Sequence, residues 1–479
     1  MTQDTSRRAS QGAGDLDALA ADALADASPR PVWWDLHDLT PAGEPLAGDA
    51  DADLVVVGGG LTGLWAAIHA LEADPGRRVV LLEASHVAVG ASGRNGGFVS
   101  ESLTHGLPHG VATWPDELPE LIRLGRDNVR EIAGFLDAEG IDADLRLCGK
   151  TAVATRPHEV ESLRRAHELN ARYGEASTYL TAEEVRADVD SPTYLAGLRT
   201  TSGGLVDPAA LVIGLRDAAL RRGLVLHEET PVLDVRRDGG RLACRTPAGT
   251  VRASQVLLAT NAFPPLMRRL RSWVLPVWDH VLATEPLSAD QLASIGWADN
   301  QGLTDAGNQF HYYRRTPDDR ILWGGYDAVY YYGNRTDASL EQREASHRLL
   351  ARQFFETFPQ LADVRMSHRW AGVIDTTSRF TPAFGTAMGG RLAYAVGYTG
   401  LGVASSRFGA RVALDLLAGE ETERTATRMV RRRPVPFPPE PARYAAVQAA
   451  RAALAREDET GRRGLLLRTM DRFGVGFNS

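Results

Sequence analysis

Asp53-Leu54-Val55-Val56-Val57 runs directly into Gly58-Gly59-Gly60-Leu61-Thr62-Gly63, and an apolar-periodic stretch continues to Leu71. The order is buried strand, glycine turn, helix. Arg78-Val79-Val80-Leu81-Leu82 reads as a second strand, ended by Glu83. A G-x-G-x-x-G in that register confines the chain to an open α/β sheet entered through a βαβ unit. Gly58 permits the tight turn, Gly60 lets a pyrophosphate approach the backbone, and Gly63 lets the helix pack on the strand. The helix N-terminus at Leu61 and Thr62 offers N–H groups and a partial positive charge to phosphates. Glu83 can accept hydrogen bonds from both ribose hydroxyls of an adenosine. It would repel a 2′-phosphate, which argues against NADP but does not separate NAD from FAD.

The segment after Glu83 bears on that choice. Ala84 and Ser85 lead toward Gly90-Ala91-Ser92-Gly93-Arg94-Asn95-Gly96-Gly97-Phe98, a loop rich in glycine and backbone donors. It suits the wrapping of a second mononucleotide half, as extended FAD requires; read alone, it is also an ordinary surface loop. Far downstream, Arg391–Val396 reads as a strand and Leu401–Leu417 as a helix, with Gly400 to Gly402 between them. A helix N-terminus there would aim its dipole at a flavin edge where negative charge develops on reduction.

These residues resemble the D-amino-acid oxidase-like FAD-dependent oxidoreductases, and the string Gly90 to Gly97 is similar to their γ-glutamylputrescine oxidase branch. The resemblance covers roughly residues 30–425. Gly204-Leu205-Val206-Asp207-Pro208 resembles the family's central helix entry. Glu229-Thr230-Pro231-Val232 is similar to the strand whose valine backbone faces adenine, and Ala259-Thr260-Asn261-Ala262 to the strand end beside the ADP half. Trp370-Ala371-Gly372-Val373 and Gly397-Tyr398-Thr399-Gly400-Leu401-Gly402 resemble its two C-terminal flavin contacts. The resemblance implies FAD held by Gly58, Gly60, Leu61, Thr62, Gly63, Glu83, Ala84, Ser85, Ala91, Ser92, Gly93, Arg94, Asn95, Gly96, Gly97, Phe98, Val232, Thr260, Asn261, Gly372, Gly400, Leu401, Gly402 and Val403. It also implies noncovalent binding. Neither Cys148 nor Cys244 matches a tethering position, and Arg94 stands where a related dehydrogenase branch carries a flavin-linked histidine.

The expected fold is α/β: a Rossmann-like FAD-binding unit with a parallel sheet, plus a substrate unit with a mixed, mainly antiparallel sheet. The FAD unit is assigned to 51–143, 201–270 and 368–425, and the substrate unit to 144–200 and 271–367. Residues 1–50 form an N-terminal extension and 426–479 a tail with a helix from Arg443 to Arg456. In the extension, Pro29 to Trp34 is expected to lie extended. Its paired tryptophans, Trp33 and Trp34, are costly to expose, so it should pack on the body.

On the substrate side, flavin amine oxidation asks little of side chains, because the cofactor carries the hard chemistry. The protein must orient a C–H bond, keep the amine neutral and exclude water. The aromatic-rich segment between Trp273 and Trp370 is the expected lid. Trp278, Tyr312, Tyr326 and Trp370 are candidate substrate contacts, since aromatic faces suit a cationic amine. For each of them, sheet packing is the competing reading. His280 and His105 are candidate proton-transfer residues. Trp323, or a neighbour, occupies the place where several family oxidases hold a lysine over the flavin; the sole lysine here is Lys150. The expected reaction is oxidation of an amine or amino acid to an imine, with oxygen accepting electrons and giving hydrogen peroxide. A dehydrogenase or demethylase with another acceptor, and a non-catalytic flavin- or NAD-binding scaffold, are the alternatives.

Composition closes other classes. The net charge of −8 gives no global field for nucleic acid. The cysteine pattern makes no metal or disulfide framework. Without a signal sequence or an apolar run of membrane length, a cytoplasmic setting is expected.

Overall fold

A computed structural model describes residues 14–474 and 476. Its first sheet is built around Ala50–Val57. Thr250–Leu258 lies on one side of that strand and Val79–Leu82 on the other, both parallel to it. Leu392–Val396 and Val225–His227 extend the parallel array outward. Leu54 to Val57 and all of Val79–Leu82 are buried. Burial on both faces is why these strands read as unbroken apolar runs. An antiparallel edge strand, Ala383–Ala387, and the hairpin of Asp234–Asp238 with Arg241–Arg245 complete the sheet.

Helices Leu61–Ala73, Pro208–Arg221 and Gly402–Ala418 pack together over this sheet in one apolar cluster. Pro208 opens its helix, and the Asp207 carboxylate accepts from the Ala209 and Ala210 amides at 3.0 Å.

The second sheet runs in the order Met366–Thr376, Leu275–Thr284, Ile321–Gly325, His311–Arg315, Gly302–Asp305, Lys150–Ala154, Ala196–Thr200, Ser177–Thr181. Every neighbouring pair is antiparallel except Gly302–Asp305 with Lys150–Ala154. Helix Glu344–Thr357 covers one face, where Phe354 and Phe355 pack with Tyr313 and Trp323. This is the expected α/β architecture, one sheet with a parallel core and one mixed, mainly antiparallel sheet.

Three local expectations need correction. Trp33–Leu36 makes a helical turn instead of an extended chain. Trp33 is fully buried, its indole N–H donates to the Asn95 carbonyl at 2.9 Å, and the Arg314 guanidinium lies 5.5 Å above its ring. Burying both faces of the ring is worth more than keeping the chain extended. Val232 lies between strands Val225–His227 and Asp234–Asp238, not inside one. The stretch Leu145 to Thr155 reads as strand-like in the sequence, but the strand begins only at Lys150.

Beyond a short helix Arg428–Arg431, the tail carries helices Ala442–Thr460 and Leu465–Arg472. The buried Asp458 carboxylate accepts from the Asn308 amide, the Asn308 side chain and the Gln309 amide, each at 2.8 Å. Arg451 pairs with Asp327 at 2.7 Å. Among the described residues, no helix is long and apolar enough to cross a membrane.

Candidate active site

A cavity of about 1610 Å³ runs from the glycine turn to the C-terminal helices. Gly58, Gly60, Leu61, Thr62, Glu83, Ala84, Ser85, Val232, Thr260 and Asn261 line it beside the first sheet. Ala91, Ser92, Arg94, Asn95, Gly96 and Phe98 line it along the loop, and Gly372 and Gly400 to Val403 line it at the C-terminal contacts. Gly63, Gly93 and Gly97 do not face it. They are packing glycines: a Cβ on Gly63 would stand 1.9 Å from the Gly58 carbonyl oxygen, and one on Gly93 2.0 Å from that of Ala88. Gly97 has φ +73° and sits against the Val206 carbonyl.

The local bonds show how the sequence shapes this cradle. The Glu83 carboxylate accepts from the Gly59 amide at 2.7 Å and the Ser85 amide at 2.9 Å, so the acid end of the second strand fixes the glycine turn. Burial raises its pKa, with Glu228 adding to the rise and the amides opposing it. Ser92 Oγ accepts from the Leu61 amide at 3.0 Å, tying the loop to the helix start. Thr62 Oγ1 donates to the Tyr398 hydroxyl at 3.0 Å, bringing the turn before Gly402–Ala418 beside the first helix N-terminus. Arg94 is braced at the cavity edge: it pairs with Glu341 at 2.7 Å, donates to the Val89 carbonyl at 2.6 Å and lies over Trp34.

Asp375 holds the turn that precedes Gly400. Its carboxylate accepts from the Gly397 amide at 2.5 Å and the Tyr398 amide at 3.1 Å. Burial pushes its pKa up to about 7 despite those donors. Its contribution to stability is therefore complete below the unfolded value of about 3.9 and is lost as pH rises through about 7. Between pH 5 and 8 the wild-type apoprotein should lose about 3 kcal/mol more stability than Asp375→Asn. Urea unfolding of both proteins at the two pH values measures it, and parallel curves would show that the carboxylate ionises freely.

The cavity lining divides the substrate-side candidates. Tyr312, Tyr326, Trp278 and His105 line the cavity. His280 and Trp323 do not; they project to the helix-covered face. His280 is fully buried against His347, and burial, with that neighbour, pushes its pKa down to about 3. Trp323 stacks on His311 at 4.5 Å and packs edge-on to Phe354. Trp370 is also outside the cavity; its indole N–H donates to the Arg94 carbonyl at 2.8 Å and supports the loop. Arg314 is fully buried and donates to the Val206 carbonyl at 2.6 Å. His105 borders Phe380 and His109, and burial pushes its pKa down to about 4.

Two groups in the cavity escaped the sequence reading. Asp279, next to His280 but on the other strand face, lines the cavity and accepts from the Tyr312 hydroxyl at 2.5 Å. The signal was present: Val277-x-Asp279-x-Val281 is an alternating pattern with an acid in an apolar run. Lys150 also lines the cavity.

A family model described as "DAO: FAD dependent oxidoreductase" matches residues 53–416. The chain belongs to this family of FAD-dependent oxidoreductases. It is 33% identical over 380 residues to the γ-glutamylputrescine oxidoreductase of Escherichia coli K12, covering 77% of this chain and 84% of that one. It is 30% identical over 390 residues to a probable oxidoreductase OrdL of Rhizobium meliloti, covering 79% and 86%. The fold is that of glycine oxidase from Geobacillus kaustophilus, with a TM-score of 0.65 at 21% identity over 78% of this chain and 96% of that one.

The DAO-family cofactor fits the residues present. The glycine turn leaves room for a pyrophosphate, since a Cβ on Gly60 would stand 2.7 Å from Ser92 Oγ. Two helix N-termini, at Leu61 and Gly402, meet the same cavity. The family match ends at 416, yet Ala446, Ala450, Leu454, Leu466 and Met470 of the tail line the far part of the cavity. The tail therefore adds a wall to the one that the aromatic segment supplies through Trp278, Phe310, Tyr312 and Tyr326.

Proposed function

We propose that this oxidoreductase converts an amine or amino acid to an imine, which water then hydrolyses, and that oxygen is the acceptor and yields hydrogen peroxide. The continuity of the cavity carries the reading. The dinucleotide cradle opens into a chamber bordered by Phe98, Tyr312 and Tyr326 and walled by apolar tail residues. Such a chamber can hold an organic amine against the redox centre and keep water out. The printed names of its relatives, γ-glutamylputrescine oxidoreductase and glycine oxidase, point to carbon–nitrogen substrates.

Bound FAD supplies the two-electron acceptor for the C–H bond beside nitrogen. The chain's part is to orient that bond and to keep the amine neutral. At neutral pH His105 is uncharged, which suits a wall beside a reacting amine. Lys150 places a cation in the same cavity, which favours oxygen reduction, an electron transfer that builds negative charge. FAD is held noncovalently in this reading, because neither cysteine lines the cavity and Arg94 is engaged with Glu341.

The test is the visible spectrum of the purified enzyme during anaerobic titration with an N-acylated 1,4-diamine, glycine and sarcosine, followed by admission of air. Flavin bleaching by one of these and rapid recovery in air is the expected result. Bleaching without recovery would replace oxygen with another acceptor. Acid precipitation should release the FAD into the supernatant.

A further inference from the structure

We propose that Asp279 is the catalytic base that takes the proton from the substrate's ammonium, and that Tyr312 positions its carboxylate, so that the enzyme selects amines that arrive as cations. This rests on the amine reading above and names the group that reading left open.

Geometry places Asp279 where such a group is needed. In strand Leu275–Thr284 it pairs directly with Gly372 of Met366–Thr376, the residue that lines the C-terminal contact of the cradle. Tyr312 donates to one oxygen of Asp279 at 2.5 Å, and a Cβ on Gly96 of the loop would stand 2.6 Å from the Tyr312 ring. The dyad thus borders both the loop and the C-terminal side of the cradle. Among the described residues, no cationic side chain is bonded to the carboxylate. Arg94, beyond Gly372, is paired with Glu341 at 2.7 Å. His311, which lowers the Asp279 pKa, is on the opposite strand face and paired with Asp305 at 2.5 Å. Asp327, which raises it, is paired with Arg343 and Arg451. From the strand that carries Gly372, Asp375 and Arg369 are committed to the Gly397 turn and to Glu344. A half-buried carboxylate that faces the cavity without a bonded cationic side chain among the described residues calls for a cation from the ligand.

The step balances. The ammonium N–H bond breaks and its proton moves to Asp279, leaving a nitrogen lone pair. The C–H bond beside nitrogen then breaks as the lone pair forms the C=N bond; bound FAD would supply the acceptor for the hydride and its two electrons. The proton leaves Asp279 for solvent as product departs. Burial holds the Asp279 pKa up at about 6. The group is therefore a carboxylate at pH 7, yet more basic than an exposed aspartate.

The experiment compares anaerobic flavin reduction in the wild-type and Asp279→Asn holoenzymes between pH 5 and 10, with the amine that best reduces the wild type. Wild-type reduction should rise with pH through about 6 as the carboxylate forms. Asp279→Asn should keep its FAD, lose that limb, and reduce about 100-fold more slowly at pH 7. It should recover above about pH 9, where free amine becomes available without a base. A merely structural aspartate would give no such recovery. Tyr312→Phe keeps the carboxylate and removes a bond that lowers its pKa, so its limb should move to higher pH; this variant carries the test if Asp279→Asn does not retain FAD. Identical profiles in wild type and variants would overturn the assignment while leaving amine oxidation intact. A wild type that no amine reduces would overturn both.

Discussion

Gly63→Val should yield a protein that cannot hold FAD. The Cβ alone would stand 1.9 Å from the Gly58 carbonyl oxygen and 3.2 Å from a Val56 methyl. Neither neighbour can yield. Gly58 already sits at φ +108°, and its own Cβ position is closed by the Ala259 carbonyl at 2.5 Å. The helix must move off the strand, carrying Leu61 and Thr62 away from the cavity. Overpacking of this kind costs about 1–3 kcal/mol in a side-chain core and more against backbone. A loss of about 3 kcal/mol in cofactor affinity is more than a hundredfold. The check is the ratio of flavin to protein absorbance after gel filtration, with circular dichroism to report whether the sheet persists. A yellow variant with one FAD per chain would show that this helix start does not carry the pyrophosphate.

The same residues show how far the sequence could be read. The cradle was legible because its chemistry is local. Gly58 to Gly63, Glu83 and Gly400 to Gly402 lie at strand ends, where backbone geometry and a few spacings decide what can bind. The chamber was not legible, because it depends on which face of a strand looks inward. Asp279 and His280 are neighbours in sequence, and a shift of one residue exchanges cavity for core. Histidine drew attention by its chemistry, but the pairing of Val281 with Gly324, and of Gly324 with Tyr312, sends Asp279 inward with Tyr312. Trp323 failed as a cavity residue for the same reason, whereas Trp370 shares the face of Val281 but is covered by the arm carrying Trp33. Both faces of this sheet are covered, one by helix Glu344–Thr357 and one by the arm carrying Trp33, so large aromatics on either face read alike. Helix Pro157–Arg172 gave little signal because only Glu159 and Leu163 are buried along it.

The tail helix was legible in sequence but its place over the cavity was not, and cutting its clasp should have the second large effect. Asp458 is buried and receives three N–H donors at 2.8 Å from Asn308 and Gln309, in the loop that leads to strand His311–Arg315. Asp458→Ala would strand all three donors. Losing charge-assisted bonds from a buried carboxylate costs about 1.5–3 kcal/mol for each in protein interiors, offset in part by water entering the gap. Besides Asp458, Ala442–Thr460 is held over the chamber by Arg443, bonded to Asn334 at 2.7 Å, by Arg451, paired with Asp327, by Glu457, which accepts from the Asn308 side chain at 3.4 Å, and by Tyr444, packed on Tyr330 and Tyr332. Its companion helix leaves Leu465 81% exposed, so that helix buries little apolar surface of its own. With the clasp gone, the wall formed by Ala446, Ala450 and Leu454 should swing open and admit water. Cofactor content should stay unchanged, because none of these residues lines the glycine turn. The amine-dependent rate, kcat/KM, should fall about 10–100-fold, the range that loosening a positioning element produces. Limited proteolysis should cut the variant near residue 440 at a concentration that leaves the wild type whole. Full activity in a protein cleaved at that site would mean that the chamber is closed by the second sheet alone.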